Sequence, residues 1–286
     1  MLRYLTLIFY GVFGIGCIYA FFLIFCFSTF KIPSDSMEPQ LQTGDQVLVN
    51  KWIAGPRLFN IFASMKGKRV DIYRVPGVGQ IKRNDILVFN YPHPYSWERI
   101  EMHIMQYYIK RCLGLPGDSI RIEQGFYRNN HTKEPLGNVE SQANLSRQKA
   151  DRMPDGVYRC FPFDSTFNWN VHDFGPLYIP RKGDRITVNQ TNYKLYKQMI
   201  EWESKDSLSW KDSKDYIGDK QVRQYRFQSN YYFVAGDKTE NSRDSRYLGL
   251  IPEEFIVGVA WKVWKSVDPY TGEYRKGRFW KNIRNN

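Results

Sequence analysis

The sequence predicts a mainly β protein: a single N-terminal transmembrane helix, then a β-rich body that carries a large β-containing insertion. Three observations lead there. Residues 5–30 hold no charged side chain. The rest of the chain repeats a motif in which Gly or Asn plus Asp opens a short β-rich run. Helical periodicity in the body is confined to one short segment.

The uncharged run comes first. As one helix it would extend roughly 39 Å, enough to cross a ~30 Å hydrocarbon core with some tilt. A cleavable leader has an apolar region of only about 7–15 residues and ends in a small-x-small site, which Ser28, Thr29, Phe30 and Lys31 do not supply. The expectation is an uncleaved anchor over residues 4–30. Arg3 and the amino terminus favour a cytoplasmic start, with the body on the outer face of a cell membrane.

The body follows. Thr43-Gly44-Asp45, Arg83-Asn84-Asp85, Pro116-Gly117-Asp118 and Lys182-Gly183-Asp184 each precede a strand-like run, at 46–49, 86–89, 119–122 and 185–188. These Asp residues read as turn builders. Further strands are expected at 107–113, 231–235 and 255–263. Tyr193, Tyr196 and Ile200 mark one amphipathic helix near 192–203. The polar stretches 129–155 and 203–219 read as loops.

The chain has 286 residues, with 41 Lys plus Arg against 29 Asp plus Glu, a formal charge of +12. It is 42% hydrophobic and 24% charged, which excludes collagen-like, disulfide-knot and wholly disordered classes. The basic excess suits anionic lipid or nucleic acid equally. The tail, 266–286, continues a segment from 261 that mixes Trp261, Trp264, Phe279 and Trp280 with seven Lys or Arg. It suits either a lipid interface or packing on the body. Cys112 and Cys160 could be free or paired.

Few residues offer chemistry. His93, His103, His131 and His172 show no zinc-type spacing and no nucleophile motif, and no phosphate-binding glycine loop is present. Ser34 and Ser36 lie between Pro33 and Pro39, which stiffen the backbone. A Ser needs a base to become a nucleophile, and a Lys in apolar surroundings can be one. Lys110, within Tyr107-Tyr108-Ile109-Lys110-Arg111-Cys112-Leu113, is the candidate, although a strand Lys often only snorkels.

Four segments in order carry a resemblance. Ile32-Pro33-Ser34-Asp35-Ser36-Met37-Glu38-Pro39, with Leu41 and Gly44-Asp45, resembles the nucleophile box of type I signal peptidases. The run from Arg83 to Phe89 resembles the strand that follows it, and the run from Tyr108 to Asp118 resembles the lysine box. Gly236-Asp237-Lys238-Thr239-Glu240-Asn241-Ser242-Arg243-Asp244-Ser245-Arg246 resembles the last box.

The resemblance implies a membrane-bound endopeptidase that removes signal peptides from exported preproteins after small residues, typically Ala-x-Ala. Ser36 would be the nucleophile and Lys110 the general base. Ser34 and the Ser36 backbone N–H would form the oxyanion hole, and Ser242 would orient the Lys amine. Asp244 and Arg246 would support the site. Phe30, Ile32, Met37, Leu41, Tyr108 and Ile109 would wall the substrate pockets.

No cofactor and no metal are implied. The partners would be signal peptides and the lipid bilayer, with no nucleic acid. Residues 31–122 and 231–265 would be the catalytic β core, and 123–230 a variable extension. The chain departs from the family pattern at Lys238-Thr239, where Asn-Arg is usual; loss of that Arg puts a supporting ion pair in doubt and leaves the Ser36 and Lys110 chemistry intact. Two other readings stay open: a dedicated Ser/Lys maturation peptidase of a conjugation or pilus system, and a non-catalytic membrane-anchored relative.

Overall fold

The computed structural model describes residues 2–60, 62–63, 72–211 and 214–283. The last three residues of the basic tail, and residues 212–213 of the extension, lie outside that set. The chain divides into two compact units, residues 1–32, 44–81 and 257–286 in one and residues 33–43 and 82–256 in the other.

The first unit begins with helix α1 (Leu2–Phe21) and a π turn over Phe22–Cys26. Strand β1 (Phe27–Lys31) then pairs antiparallel with β2 (Asp45–Asn50), from Phe27 opposite Asn50 to Lys31 opposite Gln46. This corrects the anchor expected over 4–30. Among the described residues no helix is long and apolar enough to cross a membrane. The helical ladder ends at Phe27: its amide still donates to the Phe22 carbonyl, but the backbone there turns extended, and from this residue on the chain pairs with β2. The apolar run is thus shared between a helix and a strand. Tyr4, Phe9, Phe13 and Ile15 on α1 are exposed.

The second unit holds the chemistry-bearing residues. Its main strands are β3 (Ile86–Asn90), β4 (Tyr107–Gly114), β5 (Ser119–Glu123), β6 (Phe126–Asn129), β7 (Phe174–Tyr178), β8 (Tyr231–Ala235) and β9 (Ile251–Pro252). β4 pairs antiparallel with β3 on one side and β8 on the other, and β9 extends β8. All five residues of β3 and of β8 are buried, so both read as near-continuous apolar runs. A separate sheet places β5 between β6 and β7. In the first unit, β10 (Ile256–Ser266) pairs β2, and β11 (Lys281–Asn282) folds the basic tail back onto β10.

The region 123–230 is richer in structure than its sequence suggests. Helix α2 (Val139–Ser146) falls inside the stretch expected as a loop. Only Ser141, Gln142 and Leu145 are buried on it, too little apolar periodicity to announce a helix. Its one legible signal is Asn138, which caps the Glu140 and Ser141 amides. Helix α3 (Gln190–Ser204) brackets the expected 192–203 and buries Leu195, Tyr196, Met199 and Ile200. A hairpin, Leu208–Lys211 against Lys214–Ile217, occupies the other expected loop, its alternation masked by interspersed Lys and Asp.

Candidate active site

The Pro33–Pro39 segment is held as a turn. The Glu38 amide donates to the Asp35 carbonyl at 2.9 Å, and the Leu41 amide to the Met37 carbonyl at 2.9 Å. Met37, within this loop, and Leu41, just after it, have no exposed surface, so their side chains anchor it in the core. Anchored from below, the loop presents Ser36 with its hydroxyl turned toward β4. The Ser34 hydroxyl lies 3.4 Å from that of Ser36.

Lys110 sits mid-strand on β4, opposite Leu87 of β3 and 4% exposed. Strand alternation gives Tyr108 and Lys110 one face, and Lys110 Nζ lies 5.7 Å from the Tyr108 ring centre. Lys110 Nζ and Ser36 Oγ are 2.7 Å apart, a buried hydrogen bond across 74 residues of sequence. Burial brings the ammonium down from 10.5 to about 8, because taking the charge out of water outweighs the attraction of Asp244 and Asp237. An amine with that pKa has an appreciable neutral fraction near neutrality and can accept a proton.

The segment after β8 closes the site from the other side. Gly236 has no room for a side chain: a Cβ there would meet the Ser242 side chain and the Ser36 carbonyl oxygen, 2.6 Å away. Asp244 is wholly buried and takes both Nε and Nη2 of Arg246 at 2.9 Å, with the Gly236 amide at 3.0 Å. Burial alone would raise the Asp244 pKa, but the Arg246 charge and these hydrogen bonds hold it below the ordinary value. Arg246 also donates to the Thr239 carbonyl at 2.8 Å, tying the segment into one piece.

Ser242 is different. Its hydroxyl makes no well-formed hydrogen bond to Lys110 or any other group, though it helps hold the Asp244 pKa down. Of the expected pocket walls, Ile32 is buried and Phe30 half-buried in the first unit, while Tyr108 and Ile109 are half-buried on β4.

Two contacts were not legible beforehand. Arg111 points to the opposite face from Lys110 and forks onto Asp237 at 2.6 and 2.5 Å, both side chains buried. Lys238, at the departure from the family pattern, forms an ion pair with Asp35 and lies 3.8 Å from Glu38. Asn241 donates to both Asp35 oxygens at 3.2 Å. At the departure the ion pair is made by Lys238, with Asp35 of the loop that carries Ser36, and Thr239 in the usual Arg position brings no charge. The period of two on β4 could have placed Arg111; nothing local pointed to Lys238.

The remaining titratable groups have other surroundings. Both ring nitrogens of His93 face main-chain carbonyls, of Arg99 and Leu248, and His131 lies against Asp118. All four cysteines are free, and burial raises the thiol pKa values of Cys112 and Cys160, the latter to about 12. Among the described residues no cluster of three or more His, Cys, Asp or Glu could hold a metal ion. A cleft of about 720 Å³ adjoins Ser242, walled by Trp97, Phe161, Phe163 and Arg243.

A family model described as "Signal peptidase, peptidase S26" matches residues 4–264. A signal peptidase I of Buchnera aphidicola is 30% identical over 270 residues, covering 90% of this chain and 75% of its own. A signal peptidase I of Pseudomonas aeruginosa is 29% identical over 252 residues, covering 85% of this chain and 66% of its own. A crystal structure of a signal peptidase I from Enterococcus faecalis is 17% identical and covers 64% of this chain and 98% of its own, with a TM-score of 0.30, too slight a likeness to carry an argument.

Proposed function

This chain belongs to the signal peptidase family, peptidase S26, and we propose that it is a membrane-associated serine endopeptidase that removes signal peptides from exported preproteins. The observation that carries the mechanism is the buried 2.7 Å contact between Lys110 Nζ and Ser36 Oγ, with the Lys110 pKa brought to about 8.

Neutral Lys110 takes the Ser36 hydroxyl proton as Oγ attacks the scissile carbonyl carbon. The tetrahedral oxyanion is received by the Ser34 hydroxyl and the Ser36 amide. Collapse breaks the C–N bond, and the ammonium of Lys110 passes its proton to the departing amine, the new N-terminus of the mature chain. Lys110, neutral again, deprotonates water that attacks the Ser36 ester and frees the signal peptide. Tyr108, on the Lys110 face of β4, lies toward the residues before the cut, where small side chains are accommodated, while Ile109 points to the other face of the strand. Asp244 and Arg246 keep the Ser242 segment in place behind Lys110.

The exposed apolar side chains of α1 support attachment to a bilayer, where the substrates' signal sequences reside.

The test is cleavage of an Ala-x-Ala precursor in detergent by wild type, Ser36→Ala and Lys110→Ala. Cleavage after the second Ala by wild type alone is the expected result. Residual cleavage by either variant at more than about a thousandth of the wild-type rate overturns the dyad, since loss of a nucleophile or base is far more severe.

A further inference from the structure

Three carboxylates lie near Lys110, and each has its own cation. Asp244 is held by Arg246, Asp237 by Arg111, and Asp35 by Lys238. The first two pairs are buried; the third is part-exposed and occupies the place where the family usually has Asn. We propose that Lys238 is a positioning residue for the dyad: with Asn241 it clamps Asp35, fixing the loop between Ser34 and Ser36 and cancelling that loop's charge beside Lys110. This rests on the Ser36–Lys110 reading above.

The geometry joins residues 238–241 to the nucleophile loop by several contacts. The Lys238 ammonium reaches Asp35 and approaches Glu38 at 3.8 Å, and the Lys238 amide donates to the Ser36 carbonyl at 3.1 Å. Asn241 adds its two contacts to the same carboxylate. Asp35 therefore cannot turn without disturbing the residues on either side of it.

The electrostatic consequence follows from the groups that face Lys110. Asp244, Asp237 and Asp35 favour its charged form and Arg246 disfavours it, while the Tyr108 ring lies near Nζ. An unmatched carboxylate in this set would hold a proton on the amine and remove the base. Lys238 prevents that at Asp35. The hydrogen bond from Lys238 is the largest influence holding the Asp35 pKa down, so the pair stays ionised across the working range.

The pH dependence of kcat/KM separates this role from a merely structural one. Lys238→Met should move the acidic midpoint up by about 0.3–0.5 pH unit, as expected for one partly screened charge. Asp35→Asn leaves Lys238 unmatched and should move it down. The double variant should return near wild type, and Lys238→Arg should keep the wild-type midpoint. The pair is part-exposed and adds little to stability, so these variants fold.

A Lys238→Met enzyme with lower kcat but an unmoved midpoint, or a double variant displaced as far as Lys238→Met, overturns the proposal. If the wild type cleaves no precursor, the proposed function fails. The midpoint of Lys110 is then read by competitive acetylation with mass spectrometry in the wild type and the same four variants, and the same shifts decide the role of Lys238.

Discussion

Replacing Lys110 by Met should make the protein more stable at neutral pH and less so, by comparison, in alkali. In the folded chain the Lys110 pKa is about 8, against 10.5 for an unburied Lys. Below pH 8 the amine is charged in both the folded and the unfolded chain, and the folded state bears the full penalty of burying that charge. Between 8 and 10.5 the unfolded chain binds more protons, so wild-type stability rises with pH relative to the variant. Above 10.5 the amine is neutral in both states and the penalty is gone.

A shift of this size corresponds to about 3 kcal/mol. Against it stands the lost bond to Ser36, worth about 1 kcal/mol. Met keeps the length and volume of the stem without the charge. The net expectation is a gain of about 2 kcal/mol at pH 7, turning into a loss of about 1 kcal/mol above pH 10.5. Urea unfolding of both proteins in the same detergent, followed by tryptophan fluorescence at pH 7, 9 and 10.5, reads the difference. Taking the difference at each pH cancels other groups that titrate there. A variant that is destabilised at pH 7, or whose difference from wild type does not change with pH, would falsify the account of Lys110 as a desolvated amine.

The same pKa predicts the pH–rate profile: kcat/KM should fall tenfold per unit below pH 8, to about a tenth of its plateau at pH 7. A flat profile to pH 6 would remove Lys110 as the base, and so would activity in Lys110→Arg, whose guanidinium stays protonated. Gly236→Ala should lose at least about tenfold in kcat, because the new methyl group meets Ser242 and the Ser36 carbonyl; wild-type turnover would show that this packing does not hold the nucleophile. Asp244→Asn leaves Arg246 buried without its counter-charge and should lower stability by about 3–5 kcal/mol in a denaturation series. A change below 1 kcal/mol there would mean the pair is not what organises the segment.

Much of the second unit was legible from local chemistry. β3, β4, β5 and β8 lie where turn residues and β-branched or aromatic runs predict them, since turn propensity and strand alternation are properties of a few adjacent residues. α3 announced itself by Tyr193, Tyr196 and Ile200, because a helix that buries one face must repeat apolar residues at its own period. α2 did not, since it buries little and its residues are polar. The apolar run at the start misled as to length: composition alone gives no reason for the helical backbone to end at Cys26, and the change to extended structure at Phe27 comes where β2 offers backbone partners to the residues that follow.

The site divides in the same way. Ser36 between its prolines and Lys110 in an apolar strand were candidates by residue type and by resemblance, so the sequence determined which groups could react. Whether Lys110 is a base depends on its depth of burial and on Ser36 lying 2.7 Å away across 74 positions, and only the tertiary structure decides both. Lys238 and Asp35 are farther apart still, at 203 positions, and neither has a local pattern that names the other. Hydrogen bonds and charge pairing act over a few ångströms of space, so they become visible only when the chain has brought their partners together.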